Sequence, residues 1–237
     1  MSGRNIYLLT SLPGLGDLGS DPPMGLAAFL THVAEAPGPL ALTEAIFLAE
    51  DLRQREALLA GEIEQGQPVV LTAEQLRDEA PLPPYLAAVK DDSPESAGRL
   101  TVDAVWAAYV THVAAIGRRC RFLAVWLRFE VGLRNALAAT RAKNIGLDAD
   151  RYLVQPQLGT AAEQFTQVIA EWSAAATPLA ALRVLDRARW GWLSENDRWF
   201  SFADDELGVY AAKLMLLHRW KRIERAEQAS AASAPES

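Results

Sequence analysis

Apolar residues recur at intervals of three and four from Met24 onward, the spacing that places side chains on one face of an α-helix. The breaks between these segments contain prolines, glycines and capping residues typical of helix ends rather than of β-hairpins. The pattern predicts helices near residues 24–36, 43–60, 73–79 and 84–90. We therefore expect an all-α fold built from elongated helical bundles.

One predicted helix is much longer than the others, because the spacing continues without an internal proline from about Thr101 to Arg141. Gly117 and Gly132 lie within it, each costing about 1 kcal/mol relative to alanine, and each is a candidate for a bend or a close helix contact. An apolar stripe this regular has to pack against other helices, which we expect to run antiparallel to it. We expect a bundle with one very long central helix.

Three further helix starts are marked by side chains suited to a helix N-terminus. Thr160 to Glu163 has the pattern of a capping box, in which a hydroxyl and a carboxylate accept hydrogen bonds from free amides. Thr177 precedes Pro178, and proline is tolerated at the first helical position. The last helix begins near Ser201 with an acidic opening turn. It is apolar on more than one side, so we expect it to lie between neighbours.

The two ends of the chain and one internal segment depart from the helical pattern. Residues 6–9 are strand-like and lead into a turn-rich stretch, so we expect a short extended N-terminal arm. The proline-rich, acidic stretch 81–94 is the best candidate for a hinge. We therefore predict an arm and helical lobe over residues 1–95, a long-helix bundle over 96–228 and a disordered tail over 229–237.

Composition supports a sizeable core and removes several classes of function. Half of the 237 residues are apolar. A net charge of −7, with no run of four basic residues, disfavours nucleic acid as a partner. Cys120 is the only cysteine, the start lacks the build of a signal peptide, and no apolar run approaches the roughly 20 residues that span a bilayer. We expect a cytosolic protein without direct membrane insertion.

The most conspicuous chemical motif is Gly14-Leu15-Gly16-Asp17-Leu18-Gly19, a literal GxGxxG after a strand-like segment. A phosphate-binding loop opens directly into a helix within a parallel sheet, whereas Asp21-Pro22-Pro23 intervenes here and no series of strands follows. A plain turn therefore fits better than nucleotide binding, and we expect no cofactor.

Two acidic groups, at residues 91–95 and 204–206, have the residue types that bind divalent cations. Pro94 keeps the acids of the first group from sharing a helix face, and the second group suits a helix N-terminus. The three histidines are far apart and lack a second ligand at metal-binding spacing. We therefore expect no metal site and no catalytic residues, and a protein that is not an enzyme.

A central stretch combines polar and apolar side chains in a way that suits either packing or a partner surface. Glu130 and Arg134 are one helical turn apart, and Arg134 falls on the apolar stripe. They form either an internal ion pair that fixes helix register or, with Arg128 and Asn135, a polar site that faces a partner.

Tryptophan and arginine occur together near the C-terminus, as they do in binding hot spots. Trp190 follows Arg189, Trp192 is close by, and Trp220 is flanked by basic residues. Core packing is the alternative interpretation for these rings. We include the three tryptophans among the candidate interface residues, with Trp220 as a candidate anchor.

Several of these stretches also carry a resemblance to a known family. They are Tyr7-Leu8-Leu9-Thr10-Ser11-Leu12-Pro13, then Phe129-Glu130 with Leu133-Arg134-Asn135-Ala136-Leu137-Ala138 and Arg141-Ala142, and finally Arg189-Trp190-Gly191-Trp192-Leu193 with Tyr210-Ala211-Ala212-Lys213-Leu214 and Arg219-Trp220. Together they resemble a bacterial family of unassigned function, encoded beside V-type (A-type) ATPase genes and similar to the C-type subunit of that enzyme, also called its d-type subunit.

The resemblance implies a role in the structure of a rotary ATPase. The C-type subunit is an all-helical funnel that couples the central shaft to the membrane rotor ring and catalyses nothing itself. The implied function is a non-catalytic subunit or accessory protein that links the central stalk to the membrane ring in proton or sodium transport. Its implied partners are V/A-type ATPase subunits, which would place it peripherally at the inner face of the membrane. The alternatives are an unrelated cytosolic helical adaptor or regulatory protein, and a helical metal-dependent enzyme.

Overall fold

The structure is a computed structural model that describes residues 5–87, 102–198 and 200–232, with the side chains of 229–232 excepted. Within these ranges all regular secondary structure is helical, which confirms the all-α fold class. The α-helices of the described ranges are α1 (Ile6–Thr10), α2 (Leu26–Val33), α3 (Pro37–Leu59), α4 (Ala73–Leu76), α5 (Val102–Gly117), α6 (Arg121–Asn144), α7 (Thr166–Ser173), α8 (Pro178–Glu195) and α9 (Asp204–Ala232). Short 3₁₀ helices lie at Ala149–Tyr152, Pro156–Leu158 and Ala162–Phe165.

The chain divides into two compact units. Unit 1 contains Met1–Phe47 and Asp186–Ser237, and unit 2 contains Leu48–Leu185. Both ends of the chain thus belong to unit 1, and helices α3 and α8 each contribute residues to both units. The predicted boundary at residue 95 lies outside the described residues and stays a prediction.

The helix predicted to run unbroken from Thr101 to Arg141 is in fact two helices, so this part of the prediction is wrong. Helix α5 ends at Gly117, α6 begins at Arg121, and Cys120 between them is extended (φ −131°, ψ 106°). A Cβ on Gly117 would lie 3.3 Å from the Cα of Ala124, so the glycine permits a tight reversal of the chain. The two helices pack against each other as an αα-hairpin, which buries the regular apolar stripe between its own two halves.

The segment that follows α6 packs back onto that helix. A Cβ on Gly132 would lie 2.7 Å from the carbonyl oxygen of Thr160, so only glycine permits this approach. The backbone amide of Thr160 donates to the carbonyl of Arg128 (2.9 Å). The capping box predicted at Thr160 does not form, because a 3₁₀ turn without a side-chain cap precedes α7. A capping box is instead present at Thr72, with Gln75 as its reciprocal partner.

Two predicted helix starts are confirmed. Helix α8 begins at Pro178, and the Thr177 hydroxyl accepts a hydrogen bond from the amide of Ala180 (3.1 Å). Helix α9 begins with its acidic turn at Asp204 and continues to Ala232, four residues into the segment predicted to be disordered. Residues 233–237 lie outside the described ranges.

The N-terminal residues and the segment near residue 84 also differ from expectation. Residues 6–10 form helix α1, so the prediction of an extended arm is wrong. Asn5 is buried, and its side-chain amide donates to Asp204 (2.8 Å) while its backbone amide donates to the carbonyl of Phe202 (3.1 Å). These tertiary bonds override a weak local strand propensity. Residues 84–86 form a turn in place of the predicted helix, and residues 88–90 lie outside the described ranges.

Unit 2 is organised around a carboxylate buried on helix α3. Asp51 is fully buried and accepts hydrogen bonds of 2.7 to 3.1 Å from the backbone amides of Val69, Val70 and Leu71. This carboxylate satisfies three amides that have no helix or strand partner. It therefore fixes the loop that leads from α3 towards α4.

Two further buried polar residues of α3 hold this loop and the segment around α4. Gln54 accepts a hydrogen bond from the amide of Gln67 (2.7 Å). Arg55 donates to the carbonyl of Gln75 (3.2 Å) and forms an ion pair with Asp78. Polar side chains of α3 thus contact the segment that follows this helix in the chain.

We predict that Asp51→Ala lowers the free energy of unfolding by about 3 kcal/mol or more at pH 7, because three buried amides lose their acceptor. Asp51→Asn should cost less, since one carboxamide oxygen still accepts from them. Chemical denaturation of the two variants measures the difference. Equal losses would contradict this account, because Asp51→Asn keeps both the side-chain volume and one acceptor oxygen that Asp51→Ala removes.

A second prediction concerns pH. Burial raises the pKa of Asp51 from 3.8 to about 6, because the loss of solvation outweighs the three amide hydrogen bonds, and nearby Glu50 adds to the effect. The folded chain therefore retains a proton that the unfolded chain releases, and this contribution to stability is lost as the pH rises from 3.8 to about 6.

In urea titrations, the stability of the wild type relative to Asp51→Asn should therefore fall as the pH rises through this window and level off above it. A difference that grows with pH over the same range would contradict the assignment.

Candidate partner interface

Four of the candidate residues lie on helix α6 in unit 2, and two of them make ion pairs with other helices. Glu130 pairs with Arg53 of α3 at 2.8 Å, and Arg134 pairs with Asp103 of α5 at 3.0 Å. The predicted pairing of Glu130 with Arg134 is therefore wrong. The charged residues of α6 connect it to α3 and α5 instead.

Trp106 of α5 lies at the centre of these ion pairs. The guanidinium carbon of Arg134 is 4.8 Å from the centre of its ring, and that of Arg53 is 5.8 Å away. Its indole N–H donates to Glu56 (3.2 Å). A buried indole with two nearby arginines gains cation–π attraction in addition to its burial. Trp106 thus joins the two ion pairs into one cluster, which sequence analysis missed because its members are far apart in the chain.

The buried hydroxyl of Tyr109 completes this cluster. Its ring meets Trp106 edge to face, with the ring centres 5.5 Å apart. Burial holds the pKa of the Tyr109 hydroxyl well above its ordinary value, and the carboxylate of Glu130 acts in the same direction. Tyr109 therefore stays neutral among the charged groups.

The other two candidates on α6 differ in exposure. Asn135 makes a reciprocal pair with the backbone of Val154, donating to its carbonyl and accepting from its amide, both at 2.9 Å. Its side chain thereby ties the segment after α6 to the helix. The side chain of Arg128 is exposed, which makes it the most accessible of these four candidates.

The C-terminal candidates belong to unit 1, where a buried ion triad joins helices α8 and α9. Asp186 is fully buried, and one of its oxygens accepts hydrogen bonds from Arg219 (2.6 Å) and Arg189 (3.0 Å). Both arginines are themselves buried. Sequence analysis missed Asp186, although its place three residues before Arg189 on a helix was a usable signal.

The three candidate tryptophans flank this triad in the sequence and are all half-buried. The ring of Trp190 has the ammonium group of Lys213 at 5.4 Å from its centre, and Lys213 also pairs with Asp197 (3.4 Å). Burial raises the pKa of Asp197, with Lys213 opposing the shift. The carbonyl of Trp192 accepts a hydrogen bond from the side chain of Asn196, just after α8, and the indole nitrogen of Trp220 is buried. These rings are thus partly packed and partly open.

The remaining candidate motifs can be compared with their surroundings within the described ranges. Helix α2 begins at Leu26, so no helix opens directly after the glycine motif that ends at Gly19. Among the described residues, no group of three or more His, Cys, Asp or Glu is arranged to hold a metal ion. The acids of residues 204–206 contact different partners, and residues 91–95 lie outside the described ranges. None of the described helices is long and apolar enough to cross a membrane.

Comparison with known protein families gives a match over most of the chain. The family model described as "Protein of unknown function (DUF2764)" matches residues 73–230, a range that contains all seven candidate interface residues. No curated protein and no solved structure matches the chain. The family description assigns no activity.

We predict that Glu130 is energetically coupled to Arg53 and not to Arg134. In a double-mutant cycle, Glu130→Gln and Arg53→Met should each destabilise the fold, and the double variant should lose less than the sum by about 1 kcal/mol or more. The matched cycle with Arg134→Met should be additive, because Arg134 pairs with Asp103. Denaturation midpoints of six chains, namely the wild type, three single variants and two double variants, measure the coupling in both cycles. Coupling in the second cycle only would contradict the structure.

Proposed function

The chain belongs to the DUF2764 family, and we propose that it serves as a non-catalytic subunit or accessory protein of a V/A-type rotary ATPase. In this role it links the central stalk to the membrane ring in proton or sodium transport, as the C-type subunit does in the enzyme that the sequence resembles. Its partners are the central shaft and the membrane rotor ring. It lies at the inner face of the membrane through these subunits.

The observation that carries the proposal is where the resembling residues lie. Glu130, Arg134 and Asn135 attach α6 to other elements of unit 2, while Arg189 and Arg219 meet at Asp186 in unit 1. Residues that define a helical framework are those a shared fold would retain. The resembling residues therefore have framework roles in each unit, which supports a helical framework shared with the C-type subunit.

The chemistry of the buried triad of Asp186, Arg189 and Arg219 is consistent with a mechanical role. Ion pairs buried between helices do not add much to stability relative to apolar packing, but removing one partner is costly. Such pairs therefore resist changes of helix register. A subunit that transmits torque through packed helices needs this property.

The test of the proposal is affinity purification of the tagged protein from its native cell, followed by mass spectrometry of the co-purifying proteins. Subunits of a rotary ATPase should be enriched over a purification from untagged cells. Their absence, with other proteins enriched in their place, would favour an unrelated helical adaptor.

We predict that Arg128→Glu reduces the recovery of ATPase subunits by about tenfold, because its exposed side chain adjoins the resembling stretch and a reversed charge at an interface repels the partner. The matched control is Arg118→Glu, another exposed arginine, which lies outside α5 and α6 in the turn between them. Trp220 is a poorer probe, because its neighbour Arg219 belongs to the buried triad. Equal recovery with both variants would remove Arg128 from the interface.

A further inference from the structure

The connection between helices α1 and α2, residues 11–25, is attached to helix α9 of the same unit, and we call it the strap. It contains no regular secondary structure, and the glycine motif of residues 14–19 lies within it. None of residues 11–25 is buried, so polar contacts must contribute to its position. Ordered connections of this length are uncommon in compact domains and usually have a function.

Two side chains of α9 bind the backbone of the strap near its two ends. The Tyr210 hydroxyl donates to the carbonyl of Pro13 (2.8 Å), and Nε2 of His218 donates to the carbonyl of Met24 (2.8 Å). Burial raises the pKa of Tyr210 to about 12, so its hydroxyl remains a donor. Every residue type has a carbonyl group. These two bonds therefore recognise a peptide backbone and not a particular side chain.

A third contact recognises a carboxylate. Lys221, one turn beyond His218, pairs with Asp21 of the strap at 2.6 Å and with Glu224 of its own helix at 2.9 Å. The pKa of Asp21 is lowered by the hydrogen bond and the charge of Lys221 and, to a smaller extent, by the charge of Arg225. The side chain of Asp21 is 79% exposed, so its pair with Lys221 is weak and another carboxylate can compete for it.

The basic side chains near the strap lie on one side of α9. His218, Lys221, Arg222 and Arg225 have the spacing i, i+3, i+4 and i+7, which places them along one stripe of the helix. Burial lowers the pKa of His218, and the charges of Arg222 and Arg225 act in the same direction, so both arginines lie close to its ring. When the strap carboxylate leaves, three cationic side chains remain beside one paired acid, Glu224. This stripe therefore suits an acidic ligand.

We propose that this side of α9 is a docking site for an acidic, extended segment of another protein, and that the strap occupies the site until the partner displaces it. The occupant follows from the three contacts of the strap, because a peptide supplies both carbonyl groups along its backbone and a carboxylate. Nucleic acid and lipid surfaces present phosphates in place of this combination. The strap is attached at both ends, so it competes at a high effective concentration and acts as an autoinhibitory segment.

The first measurement is the rate at which a protease specific for leucine cuts the strap of the full-length chain, since this rate follows the population of the open strap. Asp21→Lys places a second cation against Lys221 and should raise the rate by about tenfold at low salt. The matched control is Asp17→Lys, another exposed acid of the strap that forms no ion pair with the described residues, and it should leave the rate unchanged. Equal rates for Asp21→Lys and the wild type would overturn the inference, as would cleavage spread over all of unit 1.

The second measurement is docking of a separate peptide. A fluorescein-labelled peptide with the sequence of residues 11–25 should bind the Asp21→Lys protein with a Kd about tenfold lower than that for the wild type, whose own strap competes. The same peptide carrying Asp21→Lys should bind neither protein, because Lys221 repels it. Fluorescence anisotropy measures both affinities.

Equal affinity of the unaltered peptide for the two proteins, or no binding to the Asp21→Lys protein, would overturn the inference. The ATPase takes no part in these measurements, so either outcome leaves the proposed function intact. Displacement of the bound peptide by phosphatidylserine vesicles, but not by a glutamate-rich peptide, would assign the stripe to a membrane and overturn the protein partner.

Discussion

The structure depends on the partners of two carboxylates that its described helices bury, Asp51 and Asp186. A carboxylate removed from water is tolerated only when donors replace the lost hydration, and the required donors determine which segments lie beside it. Asp51 requires the amides of residues 69–71, so the loop after α3 has one available path. In unit 1, Asp186 requires Arg189 and Arg219, which keeps α8 and α9 in register. Apolar burial drives collapse in both units, but it does not select among helix registers this sharply.

The need to pair charged groups also determines which side chains are bonded within the fold and which are exposed to a partner. Glu130, Arg134 and Asn135 looked like a polar site on the sequence, yet each is occupied by a bond within unit 2. Side chains bound in this way connect the elements of unit 2. Exposed groups such as Arg128 are better placed for contact with another protein.

The sequence predicted those features whose causes lie within a few residues. The hydroxyl of Thr177 accepts from an amide of its own helix, and the acids of the opening turn of α9 are favourable next to that helix's own dipole, so both starts were predictable. Gly117 was a candidate for a bend or a close contact, but the complete break after it was not predictable, because no proline marks it and the close approach of Ala124 is a tertiary contact. Helix α1 depends on a bond between Asn5 and Asp204, which are 199 positions apart. The partners of Glu130 and Arg134 lie 77 and 31 positions away, beyond the reach of a spacing argument.

Unit 1 is built from two segments that are separated in the sequence by unit 2, and this determines the order in which the two units can form during synthesis. Unit 2 is complete once Leu185 has left the ribosome, whereas Met1–Phe47 must wait for Asp186–Ser237 before their common core closes. Domains generally fold as units while the chain emerges. The N-terminal segment, including buried residues such as Phe29 and Phe47, therefore spends the synthesis of all of unit 2 without its final neighbours. Residues after Asp186 therefore close a core to which residues before Phe47 also contribute.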